Sequence, residues 1–145
     1  MVLNVIKYGD YDYGRLRLPN IDVKKENPLL QQLIADMFET LDFYKTGVGL
    51  AAPQVGKNLN LFVIKTPTFQ EVFINPEIKL EGLPIQIKEG CLSLPNMEFA
   101  VDRAERVFIK YYDRNWNYLI KECKELLAII VQHEYDHLQG KLIID

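Results

Sequence analysis

The stretch that most limits what this chain can fold into is Leu126 to Gly140, L-L-A-I-I-V-Q-H-E-Y-D-H-L-Q-G, where an apolar run leads straight into the chain's only two histidines. Leu126, Leu127, Ile129, Ile130 and Val131 are apolar nearly all round a helix, the pattern of a helix enclosed by the rest of its domain. The periodicity predicts a helix over 124–138. His133 and His137 lie four residues apart, so both imidazoles project from one face of it. That is a metal-ligand spacing, and Glu134 is placed to reach a water on such a metal without binding the metal itself. A solvated helix face or a satisfied core pair is the bland reading of the same residues. Against it, a buried histidine pair beside a carboxylate must be coordinated or neutralised, because an unpaired charge there costs several kcal/mol.

The remaining chain must supply what encloses that helix. At 145 residues it has the length of one domain with a single substantial core, and 1–145 is read as one unit. A net charge of −3 with 26% charged residues offers no general attraction to nucleic acid or to an anionic membrane. No stretch approaches the roughly eighteen apolar residues of a membrane span, and no signal peptide is recognisable. Two cysteines far apart, Cys91 and Cys123, do not make a disulfide framework. A reducing cytoplasm, where a thiolate can serve as a ligand, is the expected compartment. Cys123 is given no role.

Residues 1–26 read as irregular structure with a turn near Tyr8 to Tyr13. Asn27-Pro28 has the form of an N-cap followed by proline in the first turn, and Leu29, Leu30, Leu33, Ile34, Met37, Phe38 and Leu41 recur at helical spacing. A second amphipathic helix is predicted over 28–44. Then comes G-V-G-L-A-A-P-Q, residues 47–54. Side chains have been removed here, as where something must approach the backbone closely; a helix C-cap with a tight loop is the other reading.

From Leu59 to Leu94 the signals are those of short antiparallel strands punctuated by Pro, Asn and Gly, the last carrying E-G-C-L-S at 89–93. Residues 106–121 form a predicted hairpin around D-R-N-W-N. Taken alone, Cys91 is most simply a small buried hydrophobe. With His133 and His137 it completes three protein ligands and an open fourth position, the usual catalytic arrangement of a zinc-type ion.

G-V-G-L-A-A-P-Q, E-G-C-L-S and H-E-Y-D-H-L-Q-G, in this order, closely resemble the three signature motifs of the peptide deformylases, over roughly residues 45–143. The resemblance implies an α+β fold in which antiparallel sheets surround a central metal-binding helix, with a further helix near the N-terminus. It implies removal of the formyl group from the formyl-methionine of new polypeptides, with Cys91, His133 and His137 holding one divalent ion. Fe(II) is the native ion the family suggests, with nickel, cobalt or zinc as working substitutes; one thiolate and two imidazoles suit several of these.

By the same resemblance Glu134 is the acid/base, and Gln54 with the backbone N–H of Leu92 holds the developing oxyanion. The backbone of Val48 and Gly49 pairs with an extended peptide. Val48, Ile87, Leu126, Ile129 and Ile130 are the candidates for lining a methionine pocket. Glu89 is placed in the substrate site and is expected to pair with Arg103 behind the cysteine loop.

The chain departs from the family pattern at Glu98, where many bacterial members carry arginine, and it ends at Asp145 without the further C-terminal helix usual in bacteria. That compact form is similar to phage-encoded members. The implied partners are N-formylmethionyl nascent peptides, with transient ribosome contact as a further expectation; a monomer is expected, in the cytoplasm of a bacterium or of a phage's host. Two other readings stand beside it. One is a zinc peptidase built on H-E-x-x-H, although only eight residues follow His137 and none is Glu or His. The other is a formyl-peptide binding module without turnover.

Overall fold

A computed structural model describes residues 1–145. In chain order it contains α1 (Leu30–Tyr44), β1 (Gly49–Ala51), β2 (Leu61–Thr66), β3 (Phe69–Cys91), β4 (Leu94–Tyr112), β5 (Tyr118–Lys124) and α2 (Glu125–Leu138), with short 3-10 turns at Tyr13–Arg17 and Ala52–Val55. The α+β expectation holds, and all five strands belong to one antiparallel sheet in the order β1-β2-β3-β4-β5.

The sheet separates two cores. β2 reads L-F-V-I without alternation because both of its faces are covered. Leu61 and Val63 join Leu30, Ile34, Met37, Phe38 and Leu41 of α1 in one cluster, while Phe62 and Ile64 join Ala128, Ile130 and Val131 of α2 in the other. Val72 and Ile74 of β3 continue the first cluster, and Phe73, Val107, Ile109 and Tyr111 continue the second. Cys123 is a buried member of the second cluster.

Two expected boundaries move. α1 begins at Leu30 rather than at 28, and Leu29 is exposed instead of sharing the apolar stripe. Asn27 Oδ1 accepts the N–H of Leu29 at 2.9 Å, so Asn27-Pro28 makes a turn just ahead of the helix instead of capping it. The short strands expected between 59 and 94 are fewer and longer: β3 alone runs 23 residues, and its partner β4 includes 95–105, a stretch in which the sequence predicts no strand.

Proline and glycine bulge β3 without ending it. Register shifts fall between Ile74 and Glu77, between Glu81 and Pro84, and between Glu89 and Cys91, around Pro76, Gly82 and Gly90. At the first shift Asn75 takes a φ of 50°, and its carboxamide accepts from Val23 N–H at 2.7 Å and donates to Val23 O at 3.0 Å. The hairpin predicted over 106–121 is present as β4–β5, paired from Arg106 with Lys124 to Tyr112 with Tyr118.

α2 packs against β4, β1, β5 and β2. Its first turn is less enclosed than its composition suggests. Leu126 is exposed and Leu127 and Ile129 are half-buried, because this end of the helix borders an open cleft.

Candidate active site

Three separate elements converge on α2. The bulge between Glu89 and Cys91 ends β3, and the two-residue turn at Leu92-Ser93 reverses the chain, so that Cys91 stands at the tip of the β3–β4 hairpin facing the helix. β1 passes on the other side, followed by the turn that carries Gln54. Cys91, His133 and His137 each offer one ligand atom, and the three atoms lie within 4.8 Å of one another. Cys91 Sγ is 3.4 Å from His137 Nε2. Atoms bound at about 2.3 and 2.0 Å to one tetrahedral centre lie about 3.5 Å apart, so this spacing fits a shared ion.

The surroundings fit one as well. His133 Nδ1 donates to Glu89 Oε1 at 2.8 Å, which turns Nε2 toward Cys91 and Glu134. Glu89 receives two further bonds from Arg103, Nε at 2.7 Å and an η nitrogen at 2.8 Å. Arg103 reaches back to Asp136 on α2 at 2.7 Å. Burial alone would raise the Glu89 carboxyl, but the bonds from Arg103 and His133 outweigh it and hold Glu89 down at about 2. Burial pushes His137 well below its ordinary value, leaving a neutral imidazole able to ligate, and its Nδ1 has no hydrogen-bond partner. At His133 burial opposes a positive charge, yet Cys91, Glu89 and Glu134 outweigh it and raise the ring to about 10. The donor set of one thiolate and two imidazoles suits a divalent metal ion of the first transition row.

Glu134 is 4% exposed and sits between His133 and β1. Burial, its largest influence, raises its carboxyl to about 7, and Oε1 has no partner within the protein. A Cβ on Gly49 would lie 2.6 Å from Glu134 Oε2. What approaches the glycine backbone here is the carboxylate itself. Gly47 is bare for a different neighbour, since its Cβ would meet Leu92 Cδ1 at 2.9 Å and Leu41 Cδ2 at 3.1 Å.

Gln54 is 1% exposed and rigidly oriented. Its Oε1 accepts Ala51 N–H at 2.9 Å, so Nε2 must face the other way, donating to Ser93 Oγ at 3.1 Å and lying 3.6 Å from Cys91 Sγ. Residues 1–10 brace this arrangement from behind, with Ile6 N–H bonded to Gln54 O at 2.8 Å and Tyr8 N–H to Ser93 O at 2.7 Å.

In front lies a cleft of about 800 Å³. Val48, Gly49, Gln54, Ile87, Glu89, Cys91, Leu92, Leu126, Ile129, Ile130, His133 and Glu134 all line it, whereas His137 lies behind them. Glu89 borders the cleft, but both of its oxygens are engaged by Arg103 and His133. Reading the sequence did not single out Ser93 or Asp136. No local signal marks either one, since their partners are 39 and 33 residues away.

A family model described as polypeptide deformylase matches residues 2–145. A peptide deformylase of Karelsulcia muelleri is 41% identical over 151 residues, spanning 100% of this chain and 78% of the relative. Among solved structures, the peptide deformylase of Thermotoga maritima superposes with a TM-score of 0.92 at 36% identity, over 100% of this chain and 97% of that one. A probable peptide deformylase from Synechococcus phage S-SSM7 gives a TM-score of 0.89 at 30% identity, over 99% and 98% of the two chains. With the three motifs brought to one cleft and the whole fold shared with these relatives, the chain belongs to the polypeptide deformylase family, hydrolases that remove the N-terminal formyl group from nascent polypeptides.

Proposed function

We propose that this single domain deformylates N-formylmethionyl peptides with Cys91, His133 and His137 holding one divalent ion, natively Fe(II), for which zinc, nickel or cobalt can substitute. The observation that carries this reading is Glu134: a buried carboxylate with a free oxygen, beside three convergent ligand atoms and open to the cleft. When bound, the ion supplies the Lewis acidity that makes water nucleophilic near neutral pH.

The chain's own groups do the rest. Glu134 accepts the proton of the attacking water and returns it to the amine nitrogen as the formyl C–N bond breaks, releasing formate and a free N-terminus. Gln54 Nε2 and Leu92 N–H donate to the carbonyl oxygen as it gains charge. A donor of this kind contributes about 3 to 4 kcal/mol. Because Ala51 fixes the Gln54 amide, its donor is aimed before substrate arrives.

β1 pairs on one side only, with β2, so the backbone from Val48 to Gly49 can take an extended substrate as an added strand. Ile87, Leu126, Ile129 and Ile130 then receive the methionine side chain, while Glu89 acts through His133 instead of touching substrate. The enzyme works as a monomer in the cytoplasm of a bacterium, or of a phage's host, and meets nascent chains by diffusion with at most transient ribosome contact.

The test is release of free amine from formyl-Met-Ala-Ser by anaerobically purified protein, with bound metal quantified in the same sample. Turnover should track metal content, Glu134→Ala should keep the metal and lose turnover by orders of magnitude, and Cys91→Ala should lose both. Stoichiometric metal without amine release would sink the proposal in favour of a binding module, and cleavage of unformylated internal peptide bonds would favour a peptidase.

A further inference from the structure

Gln132 precedes the first histidine and has no part in the chemistry described so far, yet its side chain is fully engaged. β5 accompanies β4 only as far as the pairing of Lys124 with Arg106; the chain then turns at Glu125, with φ 55°, into α2. Two residues further along β4, at Ala104, the strand has lost that neighbour. On its other side Ala104 lies opposite Pro84 of β3, but both of its backbone groups point away from that strand, toward α2. The carboxamide of Gln132 takes the missing strand's place. Its Oε1 accepts Ala104 N–H at 2.8 Å and its Nε2 donates to Ala104 O at 2.9 Å. Nε2 also donates to Ala128 O, one helical turn back, at 3.0 Å. The residue is 4% exposed, and both of its amide hydrogens and its oxygen are used. Asn75 makes the same two-point bridge to Val23.

The bridge ties α2 to β4 one residue before His133. The neighbouring β4 residue, Arg103, binds Asp136 on α2 and Glu89 on β3, and Glu89 in turn holds His133. Two consecutive β4 residues thus fasten the helix that carries two ligands to the hairpin that carries the third. Lengthwise sliding or rotation of α2 on β4 would change the 3.4 Å separation of Cys91 Sγ from His137 Nε2. The Arg103 contacts are ionic and reach through long side chains. The Gln132 bridge is short, uncharged and bound at two points of one backbone residue, so it resists sliding of α2 along β4.

We infer that Gln132 is a positioning residue for the metal site, holding α2 at the distance from the β3–β4 hairpin at which Cys91, His133 and His137 share one ion. This rests on the assignment of those three as ligands. Gln132→Met keeps the bulk and removes all three bonds. Gln132→Glu keeps the acceptor for Ala104 N–H but sets an oxygen against the carbonyls of Ala104 and Ala128. Val107→Ala, in the core beneath α2, destabilises the same cluster without touching the bridge.

The experiment loads each protein with Co(II) anaerobically, then follows cobalt loss to excess chelator, the visible absorption of the bound ion, and the melting temperature. Outer partners of metal ligands typically change metal affinity by about 10- to 100-fold, and the Gln132 variants should lose cobalt faster by a factor in that range, with altered absorption. Val107→Ala should keep the wild-type spectrum and loss rate even where its melting temperature falls as far. Wild-type loss rates and spectra in both Gln132 variants would overturn the inference, and so would equal acceleration in Val107→Ala. Failure of the wild-type protein to take up cobalt would instead strike the ligand assignment on which the inference stands.

Discussion

Replacing Gly49 by alanine tests the placement of Glu134 with a single methyl group. The backbone tolerates the change, because Gly49 is a paired strand residue opposite Ile64 and is not among the glycines with positive φ. The obstacle is steric. The added carbon would lie 2.6 Å from Glu134 Oε2 and 2.8 Å from its Cδ and Cγ, where ordinary contact begins at 3.4 Å. Glu134 must therefore retreat by about 0.8 Å, and α2 cannot carry it away as a body while Gln132 and Asp136 hold the helix to β4.

Misplacing a catalytic group by about 1 Å can cost on the order of 100-fold in rate, close to 2.7 kcal/mol of barrier. The overpacking should also destabilise the fold by about 1 to 3 kcal/mol. Steady-state deformylation of formyl-Met-Ala-Ser, with metal content and urea unfolding measured on the same preparation, separates these effects. A kcat about 100-fold down at full metal occupancy is expected. A kcat within threefold of wild type would refute the reasoning, as would a loss explained wholly by missing metal, since the three atoms nearest an added Cβ all belong to Glu134.

Other residues give independent checks. Ser93→Ala removes the acceptor 3.1 Å from Gln54 Nε2; with a hydrogen bond of about 1 kcal/mol lost from the orientation of that donor, kcat should fall about fivefold with metal retained, and an unchanged kcat would show that Ala51 alone orients Gln54. Tyr111→Phe deletes a hydroxyl that donates to Glu71 at 3.1 Å from within the core and should cost about 2 kcal/mol in urea unfolding, whereas a loss below about 0.5 kcal/mol would mean that water serves Glu71 equally well. Asp113 organises the β4–β5 turn: burial acts to raise its carboxyl, but bonds from Asn117 and Asn115 hold it below the ordinary 3.8. A depressed carboxyl stabilises the fold above its ordinary value and loses that contribution as pH falls through the folded one, so the melting-temperature gap between wild type and Asp113→Asn should be constant above roughly pH 5 and close in stronger acid. A gap that widened in acid would contradict this.

Much of the chemistry was legible in the linear chain because it depends on local periodicity. Two histidines four apart share one face of any helix that carries them, and an apolar run before them requires that most of the helix be covered, the exposed Leu126 apart. The α1 stripe, the β4–β5 hairpin and the three motifs were readable on the same ground. What the glycines of residues 47–49 accommodate was not. The atoms that would strike Gly49 belong to Glu134, 85 positions away, and those at Gly47 to Leu41 and Leu92. The length of β3 was also hidden, since proline and glycine end a strand or merely bulge it according to whether a partner such as β4 continues alongside. By itself the sequence determined the candidate ligand types, the spacing of the two histidines on α2 and the presence of a carboxylate beside them. Only the tertiary structure decided that Gln132, Arg103, Ser93 and Asp136 hold those groups in place, because a hydrogen bond between distant residues leaves no period in the chain and exists only once the sheet and helix have met.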